Sequence, residues 1–310
     1  MNRRNFLLAA SAGAGTVASL GAMPVKHKVA IFSKHLQFLQ GEQLAQGAAG
    51  IGFNGIDLTV RAKGHVEPDR VAQDLPPLVK LIRANGLEVP MITSEIVDAD
   101  TPHTEEILRT ISELGIRHYR WGGFKYDEKT AIPEQLEALK PRVAKLAKLN
   151  AQYHTGAMFH THSGIGLVGA PIWDLYILLK DFDPKAVGIN YDIGHATIEG
   201  GLGGWIDSFR LTGAYLRGVA VKDCIWAKDA KGAWKSRFVP LGEGMVKLRQ
   251  FVSMMAARNF DGPLQLHFEY PLGGAESGAS TLKMPQKDVF GAMRRDLETL
   301  RGHLELAAAK

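Results

Sequence analysis

A single cysteine, Cys224, stands in 310 residues, so no disulfide can form within the chain and the lone thiol reads as structural. In an oxidising compartment, stability must then come from packing. Beyond the first 22 residues, no apolar run reaches the roughly 18 to 20 residues that a membrane-spanning helix needs. Internal repeats and low-complexity tracts are lacking too, as is the Gly-rich fingerprint a dinucleotide fold places after its first strand: Ser33-Lys34-His35-Leu36-Gln37 stands there instead. Neither sign of charge dominates, since 37 Lys and Arg against 32 Asp and Glu leave +5, and +3 without Arg3 and Arg4. So small a surplus, dispersed as in Lys140-Pro141-Arg142-Val143-Ala144-Lys145, predicts no nucleic-acid partner.

What is present begins with Arg3 and Arg4 ahead of Phe6-Leu7-Leu8, then Ala, Gly, Ser and Val to Ala22 without an acid. The run Asn2-Arg3-Arg4-Asn5-Phe6-Leu7 resembles a twin-arginine signal peptide, with an ordinary secretory signal or an uncleaved anchor as the alternatives. Residues 1–22 are therefore expected to address the chain to the twin-arginine translocase, and the mature protein to the periplasm.

From residue 27 to 305, short apolar runs alternate with longer amphipathic ones. Strands are predicted at Val29–Ser33, Gly55–Val60, Glu88–Thr93, His118–Trp121, Tyr153–Phe159, Val187–Asp192, Leu216–Lys222 and Pro263–Phe268. Helical patterns cover Leu75–Asn85, Thr104–Leu114, Pro133–Leu149, Pro171–Leu179 and Met245–Arg258, with turn signals such as Asn85-Gly86 behind them. Eight strand and helix units in one domain predict an α/β fold, a (β/α)8 TIM barrel, with an open doubly wound sheet as the alternative.

Strand parity locates the chemistry, because alternate side chains face opposite sides. In Pro263 to Glu269, Leu264, Leu266 and Phe268 share one face and Gln265, His267 and Glu269 the other. Gly188, Asn190 and Asp192 separate likewise from their apolar neighbours, and His154, Gly156, Met158, His160 and His162 share parity in the fifth strand and its continuation. His160, Asp192 and Glu269 thus end three strands at the face where barrels carry their active groups, and an imidazole with two carboxylates suits a divalent metal.

Asp192-Ile193-Gly194-His195 resembles the D-x-G-H motif of the xylose isomerase-like barrels, a group that includes ketose epimerases, hydroxypyruvate isomerase, inosose dehydratase and endonuclease IV. Val221-Lys222-Asp223 is similar to that family's H-x-K-D strand end, Pro240-Leu241-Gly242-Glu243-Gly244 to its P-x-G-x-G loop, and Glu269 to its final strand-end glutamate. The resemblance runs from about His27 to Leu304 and implies a sugar isomerase or epimerase whose metal, Mn, Mg, Zn or Co, is held by Glu, Asp, His and Glu. Two positions depart: His160 stands where the first Glu belongs and Ala220 where the metal His belongs.

The expected assignments follow. Glu269, His160, His195 and Lys222 are catalytic candidates; His160, Asp192 and Glu269 are metal candidates, with His162 or His195 completing a shifted shell. His162, His267, Glu95 and Trp226 are substrate-contact candidates, as is Arg237, which resembles the family's substrate-contacting basic residue; Asp57 on the second strand is comparable to Glu95, and Trp121 and Trp226 are readable as a sugar wall or as packing. For the acids the competing readings are structural, a salt bridge from Glu269 to Lys222 and an N-cap by Asp192. The resemblance implies proton abstraction α to a carbonyl of a carbohydrate or polyol, with a keto-sugar lyase or hydratase, and a non-catalytic sugar-binding barrel, as alternatives. An abasic-site nuclease is disfavoured by charge and by too few histidines for a three-zinc cluster. A homo-oligomer is compatible with everything above.

Overall fold

The computed structural model describes residues 27–309; the expected signal at residues 1–22 lies outside them. Eight strands close a barrel: β1 Val29–Phe32, β2 Gly55–Val60, β3 Glu88–Ser94, β4 His118–Trp121, β5 Gly156–His160, β6 Val187–Asp192, β7 Leu216–Val221 and, after a hairpin formed by β8 Asp223–Lys228 and β9 Trp234–Val239, β10 Leu264–Leu266. The order around the barrel is β1, β10, β7, β6, β5, β4, β3, β2, every neighbour parallel. This is the expected (β/α)8 architecture in one domain.

Helices cover the outside: α1 Gly41–Ile51, α2 Val71–Ala84, α3 Thr104–Glu113, α4 Ile132–Tyr153, α5 Trp173–Leu179, α6 Ile193–Gly200, α7 Gly204–Thr212, α8 Leu248–Ala256 and α9 Gln286–Ala308. None is long and apolar enough to cross a membrane among the described residues. The outward residues of the strands, such as Val29 and Ile31, Ile56 and Leu58, Tyr119 and Trp121, and Leu264 and Leu266, are buried in the main apolar cluster together with helix residues such as Leu75, Ile107, Leu146 and Leu297. The remaining parity fills the barrel, and its upper layer is polar.

Tyr153, expected to begin the fifth strand, ends α4 instead, and His154 then takes a left-handed conformation at φ 53. Buried Asn150 holds this junction: its Oδ1 accepts from the Tyr119 hydroxyl at 2.8 Å and its Nδ2 donates to the Ala186 carbonyl at 2.9 Å. The parity of Gly156, Met158 and His160 is unaffected. The hairpin of β8 and β9 was not foreseen, because its exposed polar residues interrupt the apolar period.

Asp223 explains the adjacent motif. Its Oδ1 accepts from the Cys224 and Val246 backbone at 2.8 and 3.0 Å, and its Oδ2 from the Gly242 and Gly244 backbone at 3.0 and 2.9 Å. A Cβ on Gly244 would collide with that carboxylate, so glycine is required there by close approach. The acid and the Gly-x-Gly loop that looked like separate motif fragments are one structural clasp.

Candidate active site

Four neighbouring strands, β5, β6, β7 and β10, deliver the polar groups. His160 ends β5, Asp192 ends β6, Lys222 follows β7, and His267 and Glu269 follow β10. His160 Nε2 lies 3.5 Å from Asp192 Oδ2, and His267 Nδ1 lies 4.0 Å from the same oxygen. The imidazole and the two acids expected to converge therefore share one mouth, joined by a fourth residue.

That residue is Lys222. Its side chain is 2% exposed, and its Nζ donates to Glu269 Oε2 at 2.8 Å and to His195 Nε2 at 2.8 Å while pairing with Asp192 Oδ2 at 3.1 Å. Because His195 Nε2 accepts, its ring is neutral and carries its proton on Nδ1, which donates to Ser163 Oγ at 2.8 Å. Both structural alternatives for the acids are realised as well: Glu269 is salt-bridged to Lys222, and Asp192 Oδ1 caps α6 by accepting the His195 N–H at 3.0 Å. A cap and a site residue are compatible here because the two oxygens divide the tasks.

The electrostatics follow from depth and neighbours. Burial would raise the Glu269 pKa, but Lys222 and Lys34, the latter 3.4 Å from Oε1, outweigh it and hold the carboxyl well below the usual range. Burial raises Asp192, against the pull of Lys222. Burial lowers His160, His195 and His267 well below the ordinary value and takes His162 to about 3, with nearby cations acting in the same direction. The mouth thus offers neutral imidazoles beside an ionised Glu269.

Glu269 owes its placement partly to His35, which sequence reasoning missed. His35 Nε2 accepts the Phe268 N–H at 3.0 Å while Nδ1 donates to the Ala275 carbonyl at 3.1 Å. A buried histidine with both nitrogens committed to backbone fixes the strand extension that carries the acid.

Other expectations need correction. Arg237 is exposed on β9, opposite Ile225, and makes no hydrogen bond or ion pair among the described residues. Its neighbour Phe238 has the opposite parity and covers the site, its ring 4.5 Å from Lys222 Nζ and 5.6 Å from the His195 ring. Trp226 shares the Phe238 face but lies farther out, 41% exposed. Glu95 is exposed at the rim, where it accepts the Ala62 N–H at 3.1 Å. Trp121 is a packing residue, edge-on to Phe159 and donating to the Val97 carbonyl. Asp57 lies inside the barrel, receiving both contacts of the Thr93 hydroxyl at 2.9 Å.

The metal assignment also shifts. His160, Asp192 and His267 form one cluster of ligating atoms within 4.8 Å of one another, and His160, His162 and His195 a second; Glu269 belongs to neither, being held by the two lysines. The first cluster fits a divalent ion: both His267 ring nitrogens are buried without a hydrogen-bond partner, Asp192 Oδ2 is held only by its ion pair with Lys222, and two neutral imidazoles with a carboxylate are a suitable donor set. In the second cluster, His195 Nε2 and His162 Nε2 already accept from Lys222 and Arg120.

Residues 45–285 match the profile described as Xylose isomerase-like TIM barrel. The chain belongs to that family. Its fold is shared with D-psicose 3-epimerase from Clostridium cellulolyticum H10 in complex with D-tagatose, at TM-score 0.66 and 14% identity over 90% of this chain and 99% of that one. It is shared with 3-keto-D-glucoside 4-epimerase, YcjR, from E. coli, at TM-score 0.61 and 15% identity over 89% and 100%. The probable 3-DHS dehydratase AsbF from Bacillus anthracis superposes at TM-score 0.65 and 16% identity over 88% and 99%. No curated protein matches the chain in sequence.

Asp57 supplies a pH-dependent prediction. Burial pushes its carboxyl up to about 7 from 3.8, so the folded state holds a proton that the unfolded chain releases. This contribution is complete below pH 3.8 and is lost as pH rises through about 7. Asp57→Asn, which cannot ionise, is therefore expected to gain on the wild type by about 1 to 3 kcal/mol between pH 5 and pH 8. Urea melts at the two pH values measure this; an unchanged difference would contradict it.

Proposed function

We propose that the protein is a sugar isomerase or epimerase that removes a proton α to the carbonyl of a carbohydrate or polyol, working after export to the periplasm. The observation that carries this reading is Lys222, a buried ammonium that donates at 2.8 Å both to a carboxylate, Glu269, and to a neutral imidazole, His195. These are an electrophile, a base and a proton carrier within reach of one another.

A carbonyl oxygen seated against Lys222 draws on the ammonium hydrogens that otherwise hold Glu269. The carboxylate, relieved of part of that hold, becomes more basic as it meets the α-proton, and Lys222 stabilises the enediolate oxygen. His195, its tautomer set by Ser163, stands on the other side of the ammonium: its Nε2 takes a proton from Lys222 and passes it to the carbon or to an oxygen, and the proton gathered by Glu269 restores the Lys222 ammonium, so the protons balance. His162 borders this pair, its ring centroid 5.0 Å from that of His195. Phe238 excludes water above Lys222. His160 lies deeper, its Nδ1 accepting from Asn190 at 3.1 Å, and supports the floor of the site. A divalent ion held by His160, Asp192 and His267 would supply Lewis-acid polarisation of the same oxygen.

Product analysis over a panel of ketoses and 3-keto-glycosides, with each divalent metal added in turn, tests the proposal. A product of unchanged mass is expected. A product lighter by one water would assign elimination instead, with the departing hydroxyl taking a proton that Lys222 supplies through His195 Nε2; binding without conversion would assign a sugar-binding barrel.

A further inference from the structure

Three cations surround one aromatic ring at the mouth, that of Phe32, whose centroid lies 4.8 Å from the His267 ring. Lys34 follows β1, Arg61 follows β2, and Arg120 projects inward from β4. From the centroid of Phe32, Lys34 Nζ lies at 5.5 Å, Arg61 Cζ at 5.6 Å and Arg120 Cζ at 6.0 Å. One ring face can attract a cation, but three positive groups drawn to it repel one another.

Their partners within the protein are few. Among the described residues, neither guanidinium has a carboxylate within ion-pair distance, and the Arg61 side chain makes no hydrogen bond. Arg120 spends one of its five N–H groups on His162 Nε2 at 3.0 Å. Asp57, the acid in their vicinity, accepts instead from Thr93. The arrangement is continuous with the site: Lys34 Nζ is 3.4 Å from Glu269 Oε1, and His162, which holds Arg120, lies beside His195.

We infer that Arg61, Arg120 and Lys34 form an oxyanion cradle over Phe32, and that the substrate is a carbohydrate bearing a carboxylate or phosphate rather than a neutral sugar. The inference rests on the proposed reaction and names its substrate class. Guanidinium forks at β2 and β4 bind the anionic end of the molecule, which places its carbonyl across the mouth against Lys222. Sequence reading did not single out these cations, because each comes from a different strand and only barrel closure brings them together.

Calorimetric binding to the intact protein tests this with matched probes. 2-Keto-D-gluconate differs from D-fructose only in a carboxylate for a hydroxymethyl group, 5-keto-D-gluconate carries its acid farther from the carbonyl, and D-fructose 6-phosphate provides the phosphate arm. At least one anion is expected to bind about 10- to 100-fold more tightly than D-fructose, with Arg61→Gln bringing the ratio toward one and Arg61→Lys retaining part of it. The preferred anion identifies the oxyanion. Should Arg61→Gln fail to fold, added sodium chloride must weaken the anion's binding by the wild type more than that of D-fructose.

Equal binding of D-fructose and all three anions, or no binding of any, would overturn the cradle. Deuterium exchange into D-fructose under equal binding would leave the proposed reaction standing without it. Tight anion binding lost in Arg61→Gln, with no exchange into any probe, would sink the reaction and keep the cradle.

Discussion

Lys222→Met is expected to lower kcat by about a thousand-fold or more, because it removes the only ammonium that bridges Glu269, His195 and Asp192 among the described residues. The loss should appear in kcat more than in KM, since the stabilised charge develops on the substrate oxygen after binding. The same change leaves Asp192 buried without its neutralising partner and should cost about 3 to 5 kcal/mol of stability. Activity is therefore to be read at a temperature where circular dichroism reports the variant folded. Wild-type kcat in a folded Lys222→Met variant would remove the electrophile from the account.

Asp223→Ala is expected to destabilise the fold by about 3 to 5 kcal/mol, near the largest effects that a single buried acid produces. Four backbone N–H groups, those of Cys224, Gly242, Gly244 and Val246, lose their common acceptor. Hydrogen bonds to a charged group contribute about 1.5 to 3 kcal/mol each, but water entering the opened loop offsets part of the sum. Urea melts read the loss directly. A loss below about 1 kcal/mol would mean that the loop finds other acceptors, and that the Lys-Asp motif serves the site rather than the fold.

The barrel was legible because each parallel strand is short, apolar on its outward parity and followed by a helical period; β2, β4 and β6 have the bounds that their sequences predict. Parity also placed His160, Asp192, His267 and Glu269 correctly in the mouth. Arg237 was expected instead from the family resemblance ahead of the Pro240 loop, and the unforeseen pairing of β8 with β9 turns it outward while Phe238, one residue on, faces the site. His35 was hidden by a loop whose backbone partners belong to Phe268 and Ala275, more than 230 residues away. Arg120 sits between Tyr119 and Trp121 in a four-residue strand too short for alternation to stand out. Glu269 was rightly valued as a strand-end acid, but its withdrawal from the metal cluster depends on Lys34, which only closure of β1 against β10 brings near.

The most direct measurement is deuterium entry from heavy water at the carbon next to a substrate carbonyl, followed by NMR for the wild type beside Glu269→Gln. Exchange at that one carbon, slowed about a thousand-fold in the variant, is the predicted result. Product formed without any deuterium, or exchange at the wild-type rate after the carboxylate is gone, would contradict proton abstraction by this acid.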